Sequence, residues 1–241
     1  MREIPKIAPP KIGNYIMDTQ VDEKFVNMTK AGLLVDSQYV KYGSPTDCYA
    51  RETVVGMLKT ADSVAQGVFG CRILVLDAYR PIKVQANLWN KYYYELKAKY
   101  PYLVEGELIQ RVSQFVSKPS ENILCPSVHN TGGAVDVTLV DSDGKWLDMG
   151  ARFDDFSPKA YSAYFEEDED NYKIRENRRI LYTLMTMVGF SNLPSEWWHY
   201  DFGDAFWAYY GGYFSTGTKP FYAGISDEDF AKKYLGGHYE D

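Results

Sequence analysis

The chain has 241 residues, of which 45% are hydrophobic and 24% are charged, and its formal net charge is -7. This composition is typical of a globular protein in water, and the length is sufficient for one domain with a substantial core. An acidic chain lacks the basic surface that nucleic acids and anionic membranes require, so neither is expected as a partner.

The predicted elements alternate between helices and short strands. Residues 1–20 begin with a proline-containing stretch that predicts an extended arm. Hydrophobic periodicity and turn residues predict, in chain order, a helix over 49–67, a strand over 71–79, helices from Pro81 to Tyr100 and over 106–117, a strand over 134–140, a helix over 176–190, a strand over 195–202 and a short helix over 226–235. This order predicts the α+β class: a single domain with helices packed on a small antiparallel sheet, extended by an aromatic C-terminal segment over 203–241.

The three cysteines, Cys48, Cys71 and Cys125, are scattered and form no CxxC pair. Neither a thiolate zinc site nor a disulfide framework is therefore predicted, and free thiols favour a reducing compartment. The N-terminal stretch contains no apolar run of the length of a signal peptide, and no segment approaches the length of a membrane span. The expected location is the cytoplasm, or the periplasm or exterior if a leader precedes this sequence.

One charged residue interrupts an apolar strand. In SVHNTGGAVDVTL (127–139), Asp136 lies in the middle of the predicted strand. A buried ionised carboxylate costs several kcal/mol unless it is paired or bound to a cation. His129 lies on the loop that enters the strand, where two glycines allow the backbone to fold back, and His199 lies in another predicted strand. Two histidines and one carboxylate can form the ligand set of a catalytic zinc; the alternative is a hydrogen-bonded structural pair of His129 and Asp136.

Two further charged residues lie beside the predicted strands. Glu196 precedes His199 by three residues, and in the turn before the strand its carboxylate can face a bound metal and act as a base. The alternative is an exposed glutamate near an aromatic strand. Arg80 ends an apolar strand just before Pro81, where a guanidinium can stabilise an oxyanion. The alternative is a salt bridge to Asp77 or another acid.

Three segments, taken together and in this order, resemble the zinc D-alanyl-D-alanine dipeptidases, the VanX-type metallopeptidases. The segments are LDAYRP, SVHNTGGAVDVTL and SEWWHY. Residues 127–136 meet the family pattern S-x-H-x-x-G-x-A-x-D, and residues 196–199 meet the pattern E-x-W-H. The resemblance covers roughly residues 50–210 and implies a zinc peptidase that binds one Zn²⁺ per chain; the single peptidase domain is expected to span residues 1–241. The roles that it implies are metal ligand for His129, Asp136 and His199, general base and acid for Glu196, oxyanion stabiliser for Arg80, and substrate contact for Ser127 and Asp154.

The expected function is the hydrolysis of a small D,D-dipeptide, D-alanyl-D-alanine, to free D-alanine. One alternative is a D,D-carboxypeptidase that trims longer peptidoglycan peptides by the same chemistry. An alternative of another class is a zinc-bearing binding module without turnover. The biological role and the oligomeric state, including a homo-oligomer, stay open. His238 lies outside every motif and is predicted to be a surface residue.

Overall fold

A mixed five-stranded sheet lies at the centre of the fold. The computed structural model describes residues 1–7, 20–113, 115–155, 157–211 and 219–236. The strands of these ranges are β1 (Phe25–Asn27), β2 (Leu34–Val35), β3 (Tyr49–Arg51), β4 (Arg72–Asp77), β5 (Val135–Val140), β6 (Ser191–Asn192) and β7 (His199–Asp201). The large sheet has the order β2-β4-β5-β7-β6, and β1 and β3 form a separate antiparallel pair.

Six α-helices accompany these strands in the described part of the chain. They are α1 (Glu52–Val64), α2 (Ile82–Lys99), α3 (Glu105–Val112), α4 (Tyr172–Met187), α5 (Ala205–Gly211) and α6 (Asp227–Tyr234). None of these described helices combines the length and the apolar character needed to cross a bilayer.

The α+β class is confirmed, and the sheet differs from the prediction in one pair of strands. β2 runs parallel to β4, whereas the other neighbours in the sheet are antiparallel. The strand predicted over 195–202 is shorter, because a turn occupies the residues before His199. Of the predicted arm, residues 8–19 lie outside the described residues, as does His238.

The main core lies on one face of the sheet. Side chains of a strand point alternately to its two faces, and every second residue of β4 and β5 is fully buried in one apolar cluster with residues of α1 and α4. The sheet contributes Ile73, Val75, Val135, Val137 and Leu139 to that cluster. Asp136, between Val135 and Val137, therefore projects from the opposite face.

The C-terminal segment packs behind the turn that joins β4 to α2. The ring of Phe230 in α6 stacks on Tyr79 with a centroid distance of 3.8 Å. The Asp227 carboxylate accepts hydrogen bonds from the backbone N–H groups of Ile82 at 2.7 Å and Lys83 at 2.9 Å. A carboxylate at a helix N-terminus satisfies unpaired N–H groups and interacts favourably with the helix dipole. The C-terminal segment thus supports the first turn of α2.

Candidate metal centre

Three charged side chains form a row across the centre of the sheet. Asp136 in β5 is paired with Asp77 in β4 on one side and with His199 in β7 on the other. Directly opposite residues of neighbouring strands project from the same face. The register shifts between Val75 and Asp77, a local irregularity that changes where a side chain points. This alignment places the Asp136 carboxylate beside the His199 imidazole, on the face of the sheet away from the main core.

His129 reaches this row from a tight turn that enters β5. The turn, Val128–Thr131, is followed by Gly132, whose φ of 72° is in the left-handed region. A Cβ at Gly132 would lie 2.2 Å from the ring of Phe25, and a Cβ at Gly133 would lie 2.2 Å from the carbonyl oxygen of Phe202. Only glycines allow this close backbone approach, which brings the His129 ring next to Asp136.

The donor atoms of His129, Asp136 and His199 all lie within 4.8 Å of one another. His129 Nε2 is 3.5 Å from Asp136 Oδ2, and His199 Nδ1 is 2.9 Å from Asp136 Oδ1. All three residues are at most 5% exposed. Such a buried cluster of two imidazoles and one carboxylate is a metal-site candidate, because these donor types suit a divalent transition-metal ion.

In each histidine, the ring nitrogen that points away from Asp136 has a hydrogen-bond partner. His129 Nδ1 lies 2.9 Å from the carbonyl oxygen of Ala78, which only accepts, so Nδ1 carries the hydrogen and Nε2 keeps a lone pair towards Asp136. His199 Nε2 lies 2.8 Å from Asp201 Oδ1. Metal-bound histidines commonly donate their second N–H to a carbonyl or carboxylate. With the hydrogens on His129 Nδ1 and His199 Nε2, the other nitrogen of each ring keeps a lone pair for a cation bound between them.

The charges around the row favour an ionised Asp136 and a neutral His129. Burial opposes ionisation of Asp136, but His129, His199 and Arg80 together lower its pKa. Burial, followed by the positive charge of Arg80, lowers the pKa of His129 well below its usual range. Burial also opposes a charge on His199, but Asp201 and Asp136 raise its pKa well above its usual value. The negative charges of Asp136 and Asp201 therefore favour a positive charge in this part of the site.

Glu196 lies in the turn before β7, as its spacing from His199 predicts. Its Oε2 is 3.9 Å from His199 Nδ1, on the side that faces Asp136. The side chain is 16% exposed, so it is not the surface glutamate of the alternative interpretation. Burial raises the pKa of Glu196 to about 8.

Arg80 makes the salt bridge to Asp77 and also faces the row. Its Nε and Nη2 donate to Asp77 Oδ2 at 2.9 and 2.8 Å, and its Nη1 donates to Gln85 Oε1 at 2.9 Å. Nη2 is 3.5 Å from Asp136 Oδ2. The structural and the functional interpretation of Arg80 are therefore compatible, because the partners that bury the guanidinium also fix its orientation.

All seven residues that the sequence singled out line one cleft with a cavity of about 100 Å³. Ser127 is buried in the cleft wall, immediately before the His129 turn. Asp154 has a φ of 60°, unusual for a residue other than glycine, and its Oδ1 accepts a 2.7 Å hydrogen bond from the Tyr39 hydroxyl. Burial raises the pKa of Asp154.

Three polar residues of this region were not singled out from the sequence. Gln85 fixes Arg80, Tyr39 fixes Asp154, and Asp201 contacts His199. Only Asp201 has a local signal, because residues two apart on a strand share a face. The contacts of Tyr39 and Asp154 join residues that are far apart in the chain, so no local spacing could have indicated them.

A buried centre of two histidines and one carboxylate, with a glutamate beside it, is typical of metal-dependent peptidases and related hydrolases. The family model described as "Peptidase_M15: D-ala-D-ala dipeptidase" matches residues 11–217. The chain therefore belongs to this peptidase family.

Several relatives bear the name D-alanyl-D-alanine dipeptidase. The chain is 34% identical over 154 residues to the protein from Synechocystis sp. (strain ATCC 27184 / PCC 6803 / Kazusa), a match over 57% of this chain and 62% of the relative. It is 30% identical over 158 residues to the Escherichia coli (strain K12) protein, covering 66% and 68% of the two chains. For the Enterococcus faecium protein the identity is 28% over 197 residues, covering 73% and 89%.

Two solved structures resemble the fold more distantly. VanYB in complex with D-alanine-D-alanine has a TM-score of 0.45 and 16% identity, over 84% of this chain and 93% of that chain. A VanY D,D-pentapeptidase variant in complex with Zn(II) has a TM-score of 0.40 and 16% identity, over 76% and 93%.

Proposed function

We propose that this protein is a zinc-dependent dipeptidase that hydrolyses D-alanyl-D-alanine to free D-alanine. The observation that carries the proposal is the convergence, in one cleft, of three candidate metal ligands with a buried glutamate and a buried arginine. The family of the chain and the names of its relatives support the choice of substrate.

The residues that would hold one zinc ion per chain are His129, Asp136 and His199. Zinc at such a site supplies Lewis acidity towards a carbonyl group and lowers the pKa of water to about 7. The protein prepares the site by holding one nitrogen of each histidine and the Asp136 carboxylate within 4.8 Å of one another.

Glu196 acts as the general base and then as the general acid. Its carboxylate lies on the ligand side of the cleft, 3.9 Å from His199 Nδ1. It accepts a proton as water adds to the peptide carbonyl and delivers that proton to the leaving amine as the C–N bond breaks. General acid–base catalysis of this kind contributes about 10²- to 10⁴-fold to the rate.

Arg80 stabilises the negative charge that develops on the carbonyl oxygen. Asp77 and Gln85 hold the guanidinium in place, so its remaining N–H groups are preorganised donors. Donors that are fixed before the reaction stabilise the transition state without the cost of reorganisation.

Ser127 and Asp154 contact the ends of the dipeptide. The buried Asp154 carboxylate, oriented by Tyr39, pairs with the ammonium group of the substrate, and the Ser127 hydroxyl donates to its carboxylate. A cavity of about 100 Å³ favours a small dipeptide over an extended peptide.

The test measures zinc content and the release of free D-alanine from D-alanyl-D-alanine. Glu196→Gln should keep its zinc and lose about 10²- to 10⁴-fold in kcat, whereas Glu121→Gln, at an exposed position, should match the unmodified protein. A Glu196→Gln variant that retains full turnover would rule out this base.

The substrate panel also separates the alternatives. The dipeptidase should cleave D-alanyl-D-alanine and not its N-acetylated form, because acetylation removes the ammonium group and lengthens the ligand. Preferred cleavage of the N-acetylated form would instead indicate a D,D-carboxypeptidase. Zinc-loaded protein that cleaves neither these substrates nor L-alanyl-L-alanine would indicate a binding module.

A further inference from the structure

Two acidic side chains are buried behind His199, on the side away from the cleft. Asp201 and Asp204 both have 0% exposure. Asp201 Oδ1 lies 2.8 Å from His199 Nε2, while His199 Nδ1 faces Asp136. Neither acid belongs to the set of three candidate metal ligands, and the mechanism above uses neither of them.

A backbone N–H holds Asp204 in place. Asp204 Oδ1 accepts the backbone N–H of Trp207 at 3.0 Å. Asp201 Oδ2 and Asp204 Oδ2 are buried and have no hydrogen-bond partner among the described residues. The contact with the His199 ring is therefore the hydrogen bond that the Asp201 carboxylate makes in the described part of the chain.

The backbone holds this pair close to the metal-site loop. The N–H of Phe202 donates to the carbonyl oxygen of Gly133 at 3.1 Å. A Cβ at Gly133 would lie 3.3 Å from Asp204 Oδ2. The segment that carries Asp201 and Asp204 therefore packs directly against the residues that precede β5, which restricts its movement relative to Asp136.

We propose that Asp201 is a positioning residue for the proposed zinc site. Asp201 accepts the hydrogen of His199 Nε2 and so keeps the Nδ1 lone pair directed at the ion. The inference rests on the proposed function, because it assigns a role towards the same zinc ion. Such outer partners of a metal-bound histidine typically contribute about 10- to 100-fold to metal affinity.

The experiment measures zinc affinity by competition with a chromogenic chelator, without reference to hydrolysis. Asp201→Ala should weaken zinc binding about 10- to 100-fold.

A matched control separates positioning from general stability. Asp62 is also a buried aspartate, 4% exposed, but it pairs with Arg72 at the opposite end of β4. Asp62→Asn should lower the free energy of unfolding and leave zinc affinity unchanged. Unchanged zinc affinity in folded Asp201→Ala would overturn the inference.

Histidine NMR provides a readout that does not depend on turnover. In ¹⁵N–¹H spectra of the zinc-loaded protein, His199 should be protonated at Nε2, and Asp201→Ala should shift that signal. If the unmodified protein binds no zinc, the proposed function fails, whereas the same signal still tests the contact of His199 with Asp201. An Nε2 signal that does not respond to Asp201→Ala would refute the inference by itself.

Discussion

Arg80 combines a structural contact with a proposed catalytic one, and substitutions at two positions can separate them. Its guanidinium forms two short hydrogen bonds to Asp77, and the two residues are 7% and 1% exposed. Arg80→Met removes the charge from both the salt bridge and the cleft. The double variant Asp77→Asn/Arg80→Met removes both partners of the salt bridge together.

The expected magnitudes differ between stability and turnover. Arg80→Met leaves the buried Asp77 without its cation, which typically costs about 3–5 kcal/mol of unfolding free energy. The double variant should recover most of this loss, because replacing both members of a buried ion pair is often close to neutral. In contrast, kcat should be about 100- to 1,000-fold lower in both variants, since neither retains the oxyanion donor.

Denaturant unfolding, zinc content and kcat for D-alanyl-D-alanine measure the three quantities separately. Asp77→Asn alone is the control, because it keeps Arg80 in the cleft. A double variant that is stable and regains the kcat of this control would refute the catalytic role and leave Arg80 as the salt-bridge partner of Asp77. Arg80→Met as stable as the unmodified protein would contradict the buried ion pair.

Three further predictions concern the frame of the site and the ion. Phe230→Ala should lower the free energy of unfolding by about 3–5 kcal/mol, because the ring is fully buried against neighbouring aromatic residues; a loss below about 1 kcal/mol in denaturant unfolding would contradict the packing of α6. Gly133→Ala should destabilise the protein through its contact with a carbonyl oxygen, whereas Gly56→Ala in α1, with open space around it, should stabilise it by about 0.5–1 kcal/mol; equal effects in thermal unfolding would contradict the close approach. Removal of zinc with a chelator should lower the unfolding temperature, because a ligand that binds only the folded state stabilises it, and a chelator-insensitive unfolding temperature would count against a bound ion.

Much of the fold could be predicted from local patterns in the sequence. The helices α1, α2, α4 and α6 were predicted to within a few residues, because hydrophobic spacing acts within one or two turns of helix; Tyr49–Arg51, predicted as the start of α1, form β3 instead. Alternation in β5 also predicted which side chains share the core face. The pair β1–β3 and the strand β2 could not be predicted, since strands of two or three residues carry no periodic signal and form only through contacts with distant segments.

Local patterns in the sequence also indicated the candidate site. The spacing of Glu196 and His199 is local, and the approach of His129 to Asp136 depends on two glycines that lie between them. The partners of these residues could not be inferred in the same way. Gln85 acquires its role only when α2 is packed against the cleft, and that packing depends on the whole core.

The aspartate in the middle of an apolar strand follows from the two faces of the sheet. The apolar cluster fixes Val135 and Val137 on one face, and each such buried side chain contributes about 1.5–3 kcal/mol. A shift of β5 by one residue would bury Asp136 in that cluster and move both valines out of it to the polar face of the site, so the register is strongly determined. The same hydrophobic burial that stabilises the fold therefore holds Asp136 between Asp77 and His199. A substitution that weakens the apolar cluster near β5 should therefore disturb the position of Asp136, and with it the metal site, although it changes no residue of the site.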